Sequence, residues 1–217
     1  MTRTISARAI LFDMDGTLVD SHPVVERIWA EFARRFDLDA AEILATSHGI
    51  RMVETARKYA PHGTDIDEVV ADLSRIEYDD TEGVTAIPGA RALLDSLPAG
   101  RWALVTSAAR PLTEKRMAGV GLPIPPAIVT AESVSQGKPD PEPYLRAAEQ
   151  LSVEASDCLV FEDADAGIRA GVASGAQVVV IGDAPSETAD RLGLPRIPDY
   201  TALRVEHTDA ALIAHLP

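Results

Sequence analysis

The sequence of 217 residues predicts an α/β fold, in which a doubly wound parallel sheet carries an inserted α-helical domain. Short apolar runs bounded by turn signals recur along the chain, and segments of helical periodicity separate the later runs. The runs are continuously apolar rather than alternating, which is typical of strands buried on both faces of a parallel sheet. An interval of roughly 70 residues after the first run holds several helical patterns and no convincing strand. Together these features predict a Rossmann-like core with a helical cap.

Five apolar runs are the predicted strands of the core. They cover Ala9–Phe12, 102–106, 127–130, 158–161 and Gln177–Ile181. The pattern over 208–216 predicts a helix that closes the core. In open parallel sheets, ligands bind beyond the carboxyl ends of the strands. The residues that follow each run are therefore the candidate site residues.

The long interval between the first two strands predicts a cap of helices. The predicted boundaries are 1–19 and 86–217 for the core and 20–85 for the cap. The first cap helix is predicted to begin at Pro23, a residue favoured in the first helical turn, and to bury apolar side chains at four-residue steps from Val24 to Phe36. Two further helices are predicted over about 50–59 and from about Asp67. The sequence therefore predicts one helical unit inserted between two strands of the core.

Composition narrows the class of protein. Hydrophobic residues make up 46% and charged residues 25% of the chain, the balance of a globular protein. The formal charge of −14 disfavours binding to nucleic acid or to an anionic membrane. No apolar run is long enough to span a bilayer, the N-terminus lacks a secretory pattern, and Cys158 lies alone in an apolar run, so we expect a reduced thiol and a cytoplasmic location.

The segment after the first strand carries two carboxylates and a glycine. Asp13 and Asp15 are separated by one residue, so both can reach one small volume. An aspartate can attack phosphorus to form an aspartyl phosphate, while a second one protonates the leaving oxygen and later deprotonates water. Gly16 would permit the turn, and Thr17 is expected to hydrogen-bond Asp15. The alternative is a calcium-binding loop, but the twelfth position of such a loop is Val24 rather than glutamate.

A strand end and a loop carry further groups that suit a phosphate. Thr106 and Ser107 follow the second strand, where hydroxyl and backbone N–H groups can hold phosphate oxygens, although an ordinary helix N-cap explains the pair equally well. Lys138 lies between the third and fourth strands in a loop stiffened by prolines. It could offset charge on a transferred phosphoryl group, while a lone loop lysine is more often a solvated surface charge.

A second acidic cluster follows the fourth strand. Glu162, Asp163 and Asp165 lie here, and acids crowded at one sheet end repel unless a cation lies among them. Mg²⁺ suits such oxygen ligands. We expect Asp13, the backbone carbonyl of Asp15, and Asp163 to supply its protein ligands with Glu162 close by, and Asp165 to cap the following helix.

Four segments in order and spacing resemble the motifs of the haloacid dehalogenase superfamily of phosphotransferases. They read DMDGTL, VTS, GKPDP and FEDADAG. The resemblance covers nearly the whole chain. It implies an aspartyl-phosphate mechanism with Asp15 as the acid and base, phosphate contacts from Thr106 and Lys138, magnesium at Asp13, Asp15 and Asp163, and a helical cap over the site.

Within that superfamily, the cap sequence looks like that of sugar and polyol phosphatases, a group that includes 2-deoxyglucose-6-phosphatases and glycerol-3-phosphatases. The relevant segment is HGIRMVETARKYAP. In this picture Arg51 points toward the substrate, and Gly49 lets the cap backbone approach it. The alternative for Arg51 is an ion pair with a nearby glutamate.

Other functions remain open at this point. A dehalogenase would lack the carboxylate of Asp15. A β-phosphoglucomutase has a cap of similar size, but its family places a histidine twelve residues beyond the nucleophile, where this chain has Val25. A sugar-phosphate isomerase is therefore the second hypothesis, and a non-catalytic regulator that binds phosphate or metal is the third. A monomer suffices for a phosphatase with an opening cap, and a dimer is also compatible.

Overall fold

The computed structural model describes residues 3–217, and its largest element is a six-stranded parallel sheet. The strands of the chain are β1 Arg3–Ala7, β2 Ala9–Phe12, β3 Val19–Asp20, β4 Thr85–Ala86, β5 Trp102–Val105, β6 Ile128–Val129, β7 Cys158–Glu162, β8 Gln177–Ile181, β9 Arg196–Ile197, β10 Arg204–His207 and β11 Leu212–Leu216. The large sheet has the order β6-β5-β2-β7-β8-β9. All five predicted core strands are present, with ends shifted by at most two residues.

Helices cover both faces of this sheet and build the segment between β3 and β4. They are α1 His22–Phe36, α2 Ala40–Ser47, α3 Met52–Tyr59, α4 Ile66–Asp79, α5 Ala90–Ser96, α6 Arg110–Gly119, α7 Glu142–Gln150, α8 Asp165–Ala173 and α9 Glu187–Leu192. The predicted α/β class with a Rossmann-like parallel sheet is confirmed.

The first core strand lies in the middle of the sheet, which explains why it is apolar throughout. All four residues of β2 are buried, and its alternate side chains enter two different apolar clusters. Phe12 lies in one cluster, where its ring stacks on Phe161 with centroids 5.3 Å apart, while Leu11 enters the cluster on the other face. The neighbours β5 and β7 run parallel to β2 on either side. The carboxyl ends of these three strands therefore meet at one edge.

The helices α1 to α4 surround a separate apolar cluster. Its buried residues are Val24, Ile28, Trp29, Phe32, Ala33, Ile43, Ala56 and Leu73. The chain passes into and out of this helical unit at one place, because β3 and β4 pair antiparallel with Val19 opposite Ala86. We call residues 20–85 the cap, and the remaining described residues the core.

The predicted helix over 208–216 is wrong. This segment contains the strand β11, which pairs antiparallel with β1 on one side and β10 on the other. Burial alternates along it, with Leu212, Ala214 and Leu216 inside. A period of two residues fits a strand better than a helix.

Several short elements were not predicted. The helix α2 begins after Asp39, whose carboxylate accepts the N–H of Ala41 as an N-cap. The strands β3, β4 and β9 have two residues each, too few to show any periodicity. Between residues 3 and 217, the structure contains no helix that is both long and apolar enough to cross a bilayer.

Substitution Phe12→Ala is expected to destabilise the protein by about 3–5 kcal/mol, because it empties a site at the centre of an aromatic cluster. Phe12 is fully buried, and its ring also meets the edges of Trp102 and Tyr200. Urea unfolding of both proteins measures the difference. Leu145→Ala is the control, since Leu145 is 46% exposed and its loss should cost within about 0.5 kcal/mol. A loss below about 1 kcal/mol for Phe12→Ala would contradict the packing.

Candidate active site

Asp13 lies at the carboxyl end of β2 and is held by a buried lysine. The Nζ of Lys138 donates to Asp13 Oδ1 at 2.5 Å, to Glu162 Oε1 at 2.7 Å and to the carbonyl of Val105 at 3.2 Å. The three acceptors follow or end the three adjacent central strands. Lys138 is 1% exposed, so the reading of this residue as a solvated surface charge is wrong. An ammonium group with three donors and three acceptors is fully satisfied here.

The charges in this cluster do not cancel. Burial raises the pKa of Asp13 well above its usual value, Lys138 opposes that rise, and Glu162 and Asp163 reinforce it. Burial and the charge of Glu162 raise the pKa of Asp163 to about 8. For Lys138, burial lowers the pKa, but Asp13 and Glu162 outweigh burial and raise it. One lysine thus faces three acids, and a bound cation would relieve the repulsion.

Glu162 supports the cluster from within the sheet. Its Oε1 accepts from Lys138 and from the hydroxyl of Tyr144 at 2.9 Å, and its Oε2 accepts the backbone N–H groups of Asp163 and Ala164. Gly167 makes room for this carboxylate, because a Cβ there would lie 1.5 Å from Oε1. Sequence reasoning missed Tyr144, which lies on the buried face of α7. Both oxygens of Glu162 are occupied by protein donors.

The acids Asp13, Glu162 and Asp163 each place an oxygen within 4.8 Å of the others, an arrangement that could hold a metal ion. Because Glu162 is already occupied, Asp13 and Asp163 are the carboxylates best placed as ligands. A donor set of oxygens alone suits a hard divalent cation. The backbone at Gly16 packs closely against Asp163. Gly16 has φ +82°, and a Cβ there would lie 2.1 Å from Asp163 Oδ2.

The expected hydrogen bond from Thr17 to Asp15 is wrong. The hydroxyl of Thr17 donates instead to Asp163 Oδ1 at 3.0 Å, because the turn at Gly16 directs Thr17 toward the end of β7. Thr17 is fully buried and therefore fixes one oxygen of Asp163. Thr17 therefore contacts one of the carboxylates that could hold a metal ion rather than Asp15.

Asp15 is held by a different pair of donors. Its Oδ1 accepts from Ser21 Oγ at 2.6 Å and from Arg116 Nη1 at 2.8 Å. Arg116 Nη2 also donates to Glu77 Oε1 of the cap at 2.9 Å. Burial raises the pKa of Glu77, and Arg116 opposes that rise. For Arg116, burial lowers the pKa, but the charges of Asp15 and Glu77 outweigh burial, so the pKa is raised overall.

Sequence reasoning missed both Arg116 and Glu77, although a signal exists. Arg116 shares the buried face of α6 with Leu112, Thr113 and Met117, at helical spacing. A charged residue on an apolar helix face needs a buried partner of opposite charge, which the sequence alone does not identify.

The predicted phosphate-binding residues Thr106 and Ser107 make contacts within the protein. Thr106 Oγ1 accepts the N–H of Ala108 at 3.0 Å, and Ser107 Oγ donates to the carbonyl of Gly49 in the cap at 2.7 Å. Gly49 has φ +75°, and a Cβ there would lie 3.1 Å from the Cβ of Ala164. The cap backbone therefore comes close to the core at this glycine.

Arg51 makes the ion pair that was the alternative to a substrate contact. Its guanidinium donates to Glu54, and also to the carbonyls of Val134 and Ser135 in the core at 3.3 Å each. Arg51 also lines the cavity between cap and core. A contact with substrate stays a prediction.

The predicted cap role of Asp165 at α8 is wrong. Asp165 is the first residue of that helix, and its Oδ1 accepts from Ser186 Oγ and from the N–H of Thr188 at the start of α9. The carboxylate therefore joins two helices of the core, and Asp165 does not line the cavity.

A cavity of about 700 Å³ lies between the cap and the carboxyl edge of the sheet. Its floor contains Asp13, Asp15, Asp163 and Thr106 from the core. Its cap wall is largely apolar and includes Val25, Ile28, Trp29, Met52, Val53, Val70 and Tyr78, with His22 and His48 beside them. An acidic floor that could hold a metal ion, under a largely apolar cap wall, is suited to a small anionic ligand bound with a cation.

Comparisons with known proteins agree on one family. Residues 7–175 match the haloacid dehalogenase-like hydrolase model. Hexitol phosphatase A of Escherichia coli is 44% identical over 83% of this chain and 85% of its own length. Glycerol-1-phosphate phosphohydrolase 2 of Saccharomyces cerevisiae is 34% identical over 82% of this chain and 76% of its own length. A solved structure of a candidate β-phosphoglucomutase from Bacteroides vulgatus superposes with a TM-score of 0.72 and 26% identity, covering 89% of this chain and 84% of that one.

Substitution Lys138→Met is expected to destabilise the metal-free protein by about 3–5 kcal/mol near neutral pH, because two buried carboxylates lose their cation. The raised pKa of Asp13 should rise further without Lys138. A carboxyl whose pKa is higher in the folded than in the unfolded state gains stability as pH falls through the folded value. The deficit should therefore be smaller near pH 5 than near pH 8 in urea unfolding.

The control for this substitution is Lys58→Met, at an exposed lysine of the cap. It should change stability by within about 0.5 kcal/mol at either pH. A deficit for Lys138→Met that grows on acidification would contradict the assigned charge cluster.

Proposed function

Because this chain belongs to the haloacid dehalogenase-like hydrolases, we propose that it is a Mg²⁺-dependent phosphatase that hydrolyses small phosphorylated sugars or polyols. The observation that carries the proposal is the buried Asp13–Lys138 pair on the floor of a capped cavity, with the carboxylate of Asp15 beside it. The predicted resemblance to the sugar and polyol phosphatase group is confirmed by relatives that act, by name, on hexitol and glycerol phosphates.

In the first half-reaction, a carboxylate oxygen of Asp13 attacks phosphorus. The bond from phosphorus to the ester oxygen breaks as the bond to Asp13 forms, which gives an aspartyl phosphate. Asp15 delivers a proton to the departing oxygen, so the product leaves as an alcohol. Lys138 fixes Asp13 Oδ1 and so orients the carboxylate toward the cavity.

In the second half-reaction, water attacks the same phosphorus. Asp15, now ionised, takes a proton from that water, and the bond between phosphorus and Asp13 breaks. Inorganic phosphate leaves and Asp13 is restored as a carboxylate. Thr106 and Ser107 lie at the strand end where phosphate oxygens would sit, and we assign them to phosphate binding. The three donors of Lys138 are already on protein acceptors, so we assign Lys138 to the phosphate through its charge, which offsets that of the phosphoryl group.

The site fits a divalent cation at Asp13 and Asp163, with the backbone carbonyl of Asp15 as the third protein ligand in our proposal. Glu162 and Thr17 hold these ligands in place. When bound, Mg²⁺ would neutralise negative charge on the phosphoryl group.

The cap is assigned to substrate selection. Gly49 brings cap backbone against the core, and Arg51 lies at the same cavity wall. A volume of about 700 Å³ accommodates a sugar phosphate, since ligand cavities of about 300–1,000 Å³ are typical for small molecules. The cytoplasmic location and the monomeric state stay predictions.

A sugar-phosphate isomerase is the second candidate, favoured by the superposition on a candidate β-phosphoglucomutase. An isomerase must return the phosphoryl group to another hydroxyl of the same sugar, and this requires a base or acid for that hydroxyl. Val25, at the position where the mutase family places its histidine, lies on the cap wall of the cavity and supplies neither, and His22 and His48 of the same wall are not at that position. Hydrolysis therefore remains the better-supported reaction.

Substitution Asp13→Asn is expected to reduce phosphate release from sugar and polyol phosphates to the background, because an amide does not form the aspartyl phosphate. Far-ultraviolet circular dichroism should show that the variant stays folded. Asp165→Asn is the matched control, since Asp165 lies at the same sheet end but outside the cavity, and it should retain most activity. Normal turnover by Asp13→Asn would show that the nucleophile is another residue.

Removal of divalent metal with EDTA is expected to abolish turnover, and Mg²⁺ should restore it, because the acidic floor needs a cation to admit a phosphate. In a panel of hexose, pentose, deoxyhexose and glycerol phosphates, each mole of substrate consumed should release one mole of inorganic phosphate. Rearranged sugar phosphate with little free phosphate would indicate an isomerase. Phosphate binding without any turnover would indicate a regulator.

A further inference from the structure

Arg116 connects three parts of the molecule through one buried guanidinium. It lies on α6 of the core and is 4% exposed at its side chain. Its Nη1 donates to Asp15 in the motif that follows β2, and its Nη2 donates to Glu77 on the cap helix α4. Glu77 is itself 14% exposed, so this ion pair crosses between cap and core largely out of water.

Stability of the fold does not account for this arrangement. Buried ion pairs are often no more stabilising than apolar side chains of similar volume, because desolvation offsets the attraction between charges. The Nε of Arg116 is buried without a hydrogen-bond partner among residues 3–217, which adds a further cost. The network therefore makes better sense as a device that fixes geometry.

The geometry that it fixes is that of the Asp15 carboxylate. In the described part of the chain, both side-chain hydrogen bonds of Asp15 go to Oδ1, from Ser21 and from Arg116. Two donors on one oxygen set the orientation of the carboxylate plane, and the planar fork of an arginine adds direction that a lysine would not. Oδ2 is left for proton transfer at the cavity that Asp15 lines.

Resting on the proposed phosphatase function, we propose that Arg116 is a positioning residue for the acid–base step, and that Glu77 makes this step depend on the cap. As the ester bond breaks and the bond to Asp13 forms, the proton passes from Asp15 to the departing oxygen. Arg116 takes no part in these bond changes. Arg116 holds the carboxylate of Asp15 in one orientation. Glu77 contacts Arg116 only while the cap helix α4 lies against the core helix α6.

Two esters with different leaving groups test this proposal. An alkyl ester such as glycerol phosphate needs a proton on its departing oxygen, whereas para-nitrophenyl phosphate releases a stable anion. Arg116→Gln should lower kcat/KM for the alkyl ester by about 10²-fold and for the aryl ester by less than about tenfold. The ratio kcat/KM reports the steps up to departure of the leaving group, so later hydrolysis of the aspartyl phosphate does not affect it.

Equal losses on the two esters would overturn the proposal, because a merely structural role would impair both alike. Glu77→Gln keeps a hydrogen-bond acceptor for Arg116 but removes the charge. It should lower kcat/KM for the alkyl ester relative to kcat/KM for the aryl ester, as Arg116→Gln does, but by a smaller factor. Should Arg116→Gln fail to fold in a thermal-unfolding assay, Glu77→Gln decides. If the kcat/KM of this variant for the alkyl ester relative to the aryl ester equals that of the wild type, the proposal is overturned.

Arg110→Gln is the matched control on the same helix. Arg110 is exposed, its side chain pairs with Glu114 at 3.5 Å, and Arg110 is not one of the residues that line the cavity, so the loss of its charge should leave both kcat/KM values unchanged. A wild-type protein that hydrolysed neither ester would contradict the phosphatase function itself, which is a different result from a wild-type protein that hydrolyses both and variants that lose both equally.

Discussion

The contact between Lys138 and two buried carboxylates is the constraint on which the rest of the site depends. An ammonium group that is 1% exposed must find hydrogen-bond acceptors inside the protein, and Asp13, Glu162 and Val105 provide them. These acceptors belong to the ends of three neighbouring strands. The lysine thereby joins the strand ends, and the same bond orients Asp13 toward the cavity.

Excess negative charge is retained around that contact. Three buried acids share one lysine, and burial together with the charge of Glu162 raises the pKa of Asp163 to about 8. Such a cluster is unfavourable for the isolated protein, and a bound divalent cation would offset the repulsion among its carboxylates. Two glycines leave room for these acids. A side chain at Gly16 would collide with Asp163, and one at Gly167 would collide with Glu162.

The cap meets the core through polar contacts near the cavity. Ser107 donates to Gly49, Arg51 donates to the carbonyls of the loop before Lys138, and Arg116 pairs with Glu77. The Arg116–Glu77 pair is largely buried, and the apolar cluster of the cap lies within the cap itself. The cap is therefore a unit with its own apolar core, and near the cavity it is joined to the rest of the protein by polar contacts.

The sequence by itself determined the fold class, because continuous apolar runs and helical periodicity are local properties that a parallel sheet imposes on its strands. It also identified the two acidic motifs, which stand directly at strand ends, and Lys138, which lies in a loop stiffened by prolines. The same local patterns misled over 208–216, where a strand pairs with a distant partner at the other end of the chain.

Only the tertiary structure decided which side chains meet. It brought Arg116 and Glu77, 39 residues apart in sequence, to Asp15, and it turned Thr17 toward Asp163 rather than Asp15. Hydrogen bonds between distant segments depend on how helices and strands pack, and neither periodicity nor spacing along the chain contains that information. The residue types of the chemistry were legible in the sequence, while their mutual orientation came from packing.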